Sequence, residues 1–212
     1  MKLMATEDFT DPPADVELSP SVIKILSGAL DAIAARGIRR LSMRDIIDAS
    51  GVSRGTLYRY FSSKEEVLAA VSEFVCTGFE NGVRDAGQGI ADPIERFKAV
   101  MIFYARYTNE NSPDRVFEVE PRFHLEFFRS HFTRFNQAVK DALGPVFDHF
   151  DTLIGEAIDR DGFVETLVRI QLSTLLVPAG EDWQQLWNKT PDTIEKWARK
   201  LALAETSEAG KE

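Results

Sequence analysis

The chain has a single cysteine in 212 residues, Cys76. No internal disulfide can form, and no Cys/His group has the spacing of a zinc site. No stretch approaches the ~18 consecutive apolar residues of a membrane-crossing helix. The opening residues, MKLMATEDFTDPPADVE, lack the apolar centre of a secretory signal. Nothing alternates with a period of two over a useful length, so no sheet is expected. Catalytic patterns are missing as well: no nucleophile beside a base, no phosphate-cradling glycine loop, no nucleotide fingerprint. Glu118 and Glu120 are close carboxylates, but such pairs are commonly surface charge. These absences exclude a disulfide scaffold and a membrane span. They point away from an enzyme, toward a reducing cytoplasm, and to no cofactor or metal.

What the chain does have is apolar bulk and uneven charge. Apolar residues make up 44 %, with 15 Phe and 3 Trp, enough for a large core. The net charge of −9 argues at first against a nucleic-acid partner. Residues 36–64 reverse that reading. They hold Arg36, Arg39, Arg40, Arg44, Arg54, Arg59 and Lys64 against Asp45 and Asp48, a balance of +5 that leaves −14 for the rest. A small DNA-reading module on an acidic body has this asymmetry, and so does a solvated charged face on an ordinary helical protein.

Punctuation residues divide the chain into helices. Residues 1–18, with five acids, one base and two prolines, have the composition of a disordered arm. Ser19-Pro20 starts a helix that carries Val22, Ile25, Leu26, Ala29, Leu30 and Ile33 at helical spacing and stops at Gly37. Ser42 opens a second helix, with Asp45 in a carboxylate variant of the capping box, and Gly51 closes it. Ser53 caps a third, Arg54 to Tyr60. Ser62 or Ser63, followed by Glu65 and Glu66, starts a longer fourth. Beyond residue 80 the pattern stays helical. Asn81-Gly82 and Gly87-Gln88-Gly89 are weak points, and starts fall at Asp92-Pro93, Ser112-Pro113, Pro121, Gly144-Pro145, Phe163 and Thr190-Pro191. The fold expected is all-α, with about nine to ten helices in total. An acidic arm (1–18) precedes a three-helix helix-turn-helix module (19–64), a helical bundle (65–206) and a frayed tail (207–212).

Two short capped helices around a glycine turn, preceded by a longer one, outline a helix-turn-helix whose second short helix enters the major groove. That helix reads SRGTLYRY. Arg54 suits guanine or phosphate, Thr56 a base edge or a thymine methyl, and Tyr58 and Tyr60 offer hydroxyls. Leu57 and Phe61 are expected to face inward. Tyr60 fits a structural role equally well, and Arg36 fits the closing of a helix end.

The stretch LSMRDIIDASGVSRGTLYRYFSSKEEVL resembles the TetR family of regulators through Gly51, Val52, Ser53, Thr56, Tyr58, Phe61, Lys64 and Glu65. The likeness covers about residues 20–75, roughly a quarter of the chain. It implies DNA contacts from Ser42, Arg44, Ser53, Arg54, Thr56, Tyr58, Arg59 and Lys64. Arg59 stands where the family often has an aromatic ring, and the family's basic N-terminal arm is replaced by one of net charge −4. That arm is expected to make no minor-groove contact.

The resemblance also implies a ligand-binding, dimerising body. Phe103, Tyr104 and Tyr107, with His124, Phe127, Phe128 and His131, are the ligand candidates; Phe132 and Phe135 lie on the same long helix. Plain core packing is the competing role for each ring. His124 and His131 are seven residues apart, about 10 Å along a helix, too far to share a metal. Leu172, Leu175, Leu176, Trp197 and Leu201 are the candidates for the face of a two-fold homodimer. The expected protein is a DNA-binding transcriptional regulator, a repressor released from its operator by a largely apolar small molecule. The alternatives are an interaction protein whose helix-turn-helix no longer reads DNA, and an enzyme.

Overall fold

The computed structural model describes residues 19–111, 121–174 and 183–209. Among these there are nine α-helices, a short 3₁₀ turn (Ile38–Arg40) and no strand. The helices are α1 (Pro20–Arg36), α2 (Met43–Ser50), α3 (Arg54–Tyr60), α4 (Lys64–Gly87), α5 (Pro93–Asn111), α6 (Pro121–Ala142), α7 (Gly144–Ile154), α8 (Arg160–Ser173) and α9 (Trp183–Ala209). The expected acidic arm, the short helix from Ser112-Pro113, Glu118, Glu120, Leu175 and Leu176 lie outside the described residues. The described residues form two compact units: 19–77 with 121–127, and 78–111 with those from 128 onward.

In the first unit, α1, α2 and α3 pack together. Ser19 caps α1, its hydroxyl accepting the Val22 N–H at 3.3 Å, and Pro20 takes the first position, where a missing N–H costs nothing. Val22, Ile25, Leu26, Ala29, Ala32 and Ile33 form one buried stripe. It meets Ile46 of α2, Leu57 of α3, and Phe61, Val67 and Val71 beyond. Gly51 ends α2 at φ 67, in the left-handed region where a side chain is strained. A closer constraint sits at Gly28: a Cβ there would lie 2.5 Å from the Ser50 backbone. The α1/α2 crossing thus has no room for even a methyl group.

In the second unit, α5 packs against α7, α8 and α9. Its inner face is Ile94, Phe97, Val100, Met101, Tyr104 and Ala105. Phe163 of α8 fills the space beside it, its ring 6.0 Å from Phe97 and 5.9 Å from Phe147 of α7. Arg96 on α5 closes the ends of two helices at once. Its Nη1 donates to the Gly87 carbonyl that ends α4, and its Nε to the Ala142 carbonyl that ends α6, each at 2.7 Å. These are last-turn carbonyls with no partner within their own helices. Lys98 ties α5 to α9 through Asp192 at 2.9 Å.

Three elements depart from the sequence pattern. Helix α8 starts at Arg160 instead of Phe163, because Asp159 caps it by accepting the Gly162 N–H at 3.0 Å. Helix α4 runs unbroken through Asn81-Gly82. Gly82 is accommodated because the Phe103 ring packs where its Cβ would be. Helix α9 begins at Trp183 and carries Pro191 inside it instead of starting there. Trp187, one turn earlier, is buried, and its indole N–H donates to Gln171 Oε1 at 2.9 Å, which anchors the segment ahead of the proline.

Candidate nucleic-acid interface

The geometry of α3 follows from its two ends. Ser53 caps the first turn, accepting the Thr56 N–H at 3.0 Å, and Leu57 is fully buried against α1 and α2. With Leu57 fixed inward, Arg54, Tyr58 and Arg59 emerge on exposed faces, Tyr58 being 44 % exposed. The Arg54 guanidinium lies over the Tyr58 ring, 5.3 Å from its centre. The Thr56 hydroxyl is 2.8 Å from the Ser53 hydroxyl, so the two side chains hold one another at the start of the helix.

Arg59 points elsewhere. Its guanidinium covers the Tyr60 ring at 4.8 Å, and Nη2 donates to the Tyr60 hydroxyl at 3.1 Å. That hydroxyl also accepts from Ser19 Oγ at 3.3 Å, joining the end of α3 to the start of α1. The hydrogen bonds from Ser19 and then Arg59 lower the Tyr60 pKa below its ordinary value. The sequence alone leaves Tyr60 open between groove and scaffold, and does not pair it with Ser19.

At the start of α2, Ser42 and Asp45 form a reciprocal capping box. The Ser42 hydroxyl accepts the Asp45 N–H at 3.3 Å, and Asp45 Oδ2 accepts the Ser42 N–H at 3.0 Å. The Ser42 hydroxyl in turn donates to Asp45 Oδ2 at 2.6 Å. Hydrogen bonding from Ser42, helped by Arg36 and Arg44, holds the Asp45 pKa below the usual carboxylate range. Arg36 pairs with Asp45 at 2.6 Å, a helix-end role. Arg44 stays exposed, with Asp48 at 3.8 Å. Lys64 is the first residue of α4. The Ser63 hydroxyl accepts the Glu66 N–H at 3.2 Å, and Glu66 accepts the Ser62 N–H at 2.7 Å. Serine caps and cations therefore occur at the starts of α2, α3 and α4, with Arg44 and Arg54 exposed and Lys64 half-buried, a combination suited to phosphate oxygens.

This module matches the family model described as bacterial regulatory proteins, tetR family, over residues 25–71. The N-terminal module is thus similar to the DNA-binding module of the tetR family. The TetR-type segment is 32 % identical over 79 residues to the transcriptional repressor KstR2 of Mycobacterium tuberculosis, covering 37 % of this chain and 40 % of that protein. The matched part spans about a quarter to under a half of the length of the curated relatives. The wider TetR fold extends over most of the chain. The TetR-family regulator PfmR of Thermus thermophilus superposes with a TM-score of 0.56 at 22 % identity, covering 81 % of this chain and 93 % of that one. The fatty acid degradation regulator FadR of Bacillus halodurans gives 0.56 at 18 % identity, covering 85 % and 97 %.

In the TetR-like body, the candidate ligand residues divide. Phe79 of α4, which sequence reasoning passed over, is the hub of a ring cluster. Its ring centre lies 6.4 Å from Phe103, 5.2 Å from Tyr104, 5.4 Å from Tyr107 and 5.0 Å from Phe135. Phe128 and His131 reach the same cluster through Phe135, at 6.2 and 6.3 Å. Tyr104 is buried, burial raises its pKa, and its hydroxyl donates to the Val168 carbonyl at 3.5 Å. His124 stands edge-on to Phe123 at 5.4 Å, and Phe127 is half-buried.

The dimer candidates divide too. Trp197 is 63 % exposed on α9 and Ile170 is 42 % exposed on α8. Both border an open apolar groove of about 640 Å³, with Phe150, Phe163, Trp187 and Ile194 in its walls. Leu172 is half-buried on α8 and does not line the groove. Leu201 lies on α9, but its side chain is outside the described set. Among the described residues, no helix is long and apolar enough to cross a membrane and no cluster of His, Cys, Asp and Glu could hold a metal.

Proposed function

We propose that the chain is a TetR-like transcriptional repressor that reads duplex DNA with α3 and leaves its operator when a largely apolar small molecule binds. The observation that carries this reading is the split along α3: Leu57 fully buried, with Arg54, Tyr58 and Arg59 exposed. Thr56 and the Arg54–Tyr58 pair supply base-edge contacts. Ser42, Arg44, Ser53 and Lys64 grip phosphates and set the register, and Arg59 contributes through the Tyr60 hydroxyl.

The body works as a two-fold dimer through the Trp197 groove. Each Trp197 is a projection beside a hollow, which suits an isologous contact between identical faces. To read one duplex, two copies of α3 must stand about 34 Å apart, one turn of DNA. The ring cluster around Phe79 takes the apolar effector, with Tyr107 and His131 as polar anchors. The effector acts by favouring the arrangement of the two α3 helices that does not fit DNA.

A gel-shift with duplex from upstream of the chain's own gene tests the reading. Specific binding that weakens steeply with salt is expected, because phosphate contacts release counterions. Equal affinity for that duplex and for random DNA would overturn it.

A further inference from the structure

Residues 1–18 carry Glu7, Asp8, Asp11, Asp15 and Glu17 against Lys2, a net charge of −4. They join the described structure at Ser19, and Ser19 is not a remote point. Its hydroxyl donates to Tyr60, the last residue of the reading helix, at 3.3 Å, and the same Tyr60 oxygen accepts from Arg59 at 3.1 Å. The acidic segment is therefore tethered one ring away from the reading cations.

We propose that this acidic segment docks on the DNA-facing surface of its own module and competes with duplex DNA for the cations there. The proposal rests on the reading of α3 as a DNA reader. Three observations support it. The first is charge complementarity: residues 36–64 balance at +5, and Arg40, Arg44, Arg54 and Arg59 are exposed. Two of the module's cations are already matched within it, Arg36 by Asp45 and, loosely, Arg44 by Asp48, and Arg40, Arg54, Arg59 and Lys64 have no carboxylate partner among the described residues. The second is reach: at about 3.4 Å per extended residue the segment needs only a fraction of its length to pass along α3, itself about 10 Å long. The third is tethering, which holds the carboxylates at an effective concentration in the millimolar range without any separate encounter. Carboxylates beside guanidinium groups make charge-assisted hydrogen bonds of the kind a phosphate would make. DNA carries far more charge and displaces the segment, but the displacement costs affinity on every sequence alike.

The test compares the full chain with a chain starting at Ser19, and with a full-length variant carrying Glu7→Gln, Asp8→Asn, Asp11→Asn, Asp15→Asn and Glu17→Gln. Affinity is measured for the upstream duplex and for a random duplex. Both changes are expected to raise affinity roughly tenfold at low salt, equally on the two duplexes, with the gain fading as salt screens the contact. A second readout needs no DNA. Cys76 is fully buried, so a nitroxide attached at Thr10→Cys labels that site selectively. It should broaden the backbone amide signals of Arg54–Tyr60, and high salt should abolish the broadening. Affinities unchanged within twofold would overturn the proposal. So would a gain in affinity without broadening, which would leave only a long-range field. Broadening in a protein that binds neither duplex would keep the contact but sink both the competition and the reading of α3.

Discussion

Gly28 of α1 and Ser50 of α2 cross with no space for a methyl group between them: a Cβ on Gly28 would stand 2.5 Å from both Cα and N of Ser50. The neighbour is backbone, which cannot swing aside as a flexible side chain would. Gly28→Ala should therefore destabilise the protein by about 1–3 kcal/mol, the usual cost of overpacking, although alanine is the better helix former. Urea denaturation measures it. A stabilised variant would mean that the two helices separate freely.

Arg44 and Thr56 should separate phosphate grip from base reading. Arg44→Ala is expected to weaken matched and random duplex alike and to reduce the salt slope by about one unit. Thr56→Ala is expected to cost about 1–3 kcal/mol on the matched site and little on random DNA. Titrating both duplexes by fluorescence anisotropy at several salt concentrations checks the pair. Equal losses on both duplexes for Thr56→Ala would remove it from the reading surface.

Asp45 gives a pH signature. Its folded pKa is depressed, first by the Ser42 hydrogen bond and also by Arg36 and Arg44. A depressed carboxylate pKa means the folded state favours the ionised form. The stabilisation is complete above the unfolded value, ordinarily about 3.9, and is lost as pH falls through the lower folded value. Thermal melts of the wild type and Asp45→Asn should differ at pH 6 and converge as the solution is acidified toward pH 3. A constant gap across that range would show that the capping geometry, not the charge, matters.

Trp197 should control assembly. An exposed indole beside an apolar groove is the kind of residue that dominates an interface when buried. Trp197→Ala is expected to weaken self-association at least tenfold, about 1.4 kcal/mol, in sedimentation velocity experiments. Operator affinity should fall with it, while far-ultraviolet circular dichroism stays unchanged. A Trp197→Ala protein that remains fully dimeric would move the interface elsewhere.

The sequence made the helix ends legible because caps are local chemistry. Ser19, Ser42 and Ser53 each close a first turn with their own hydroxyl, and Gly37 and Gly51 each stop a helix at positive φ. The inward faces of Leu57 and Phe61 followed from spacing alone. What escaped depends on a partner far along the chain. The need for Gly28 arises only when Ser50 arrives beside it. Phe79 reads as one more apolar residue of α4 until Phe103, Tyr104, Tyr107 and Phe135 surround it. Pro191 has the form of a helix start, and the buried bond between Trp187 and Gln171 overrides it. The tie from Ser19 to Tyr60 spans 41 positions, a distance at which no local pattern speaks.

Arg96 leaves one last consequence. A single guanidinium holds the terminal carbonyls of both α4 and α6. Neither helix end can slide along its axis without dragging on, or letting go of, the other. A push arriving at the foot of α6 is transmitted to the foot of α4 through two bonds of one planar group, so the pair behaves like two levers sharing a pivot pin.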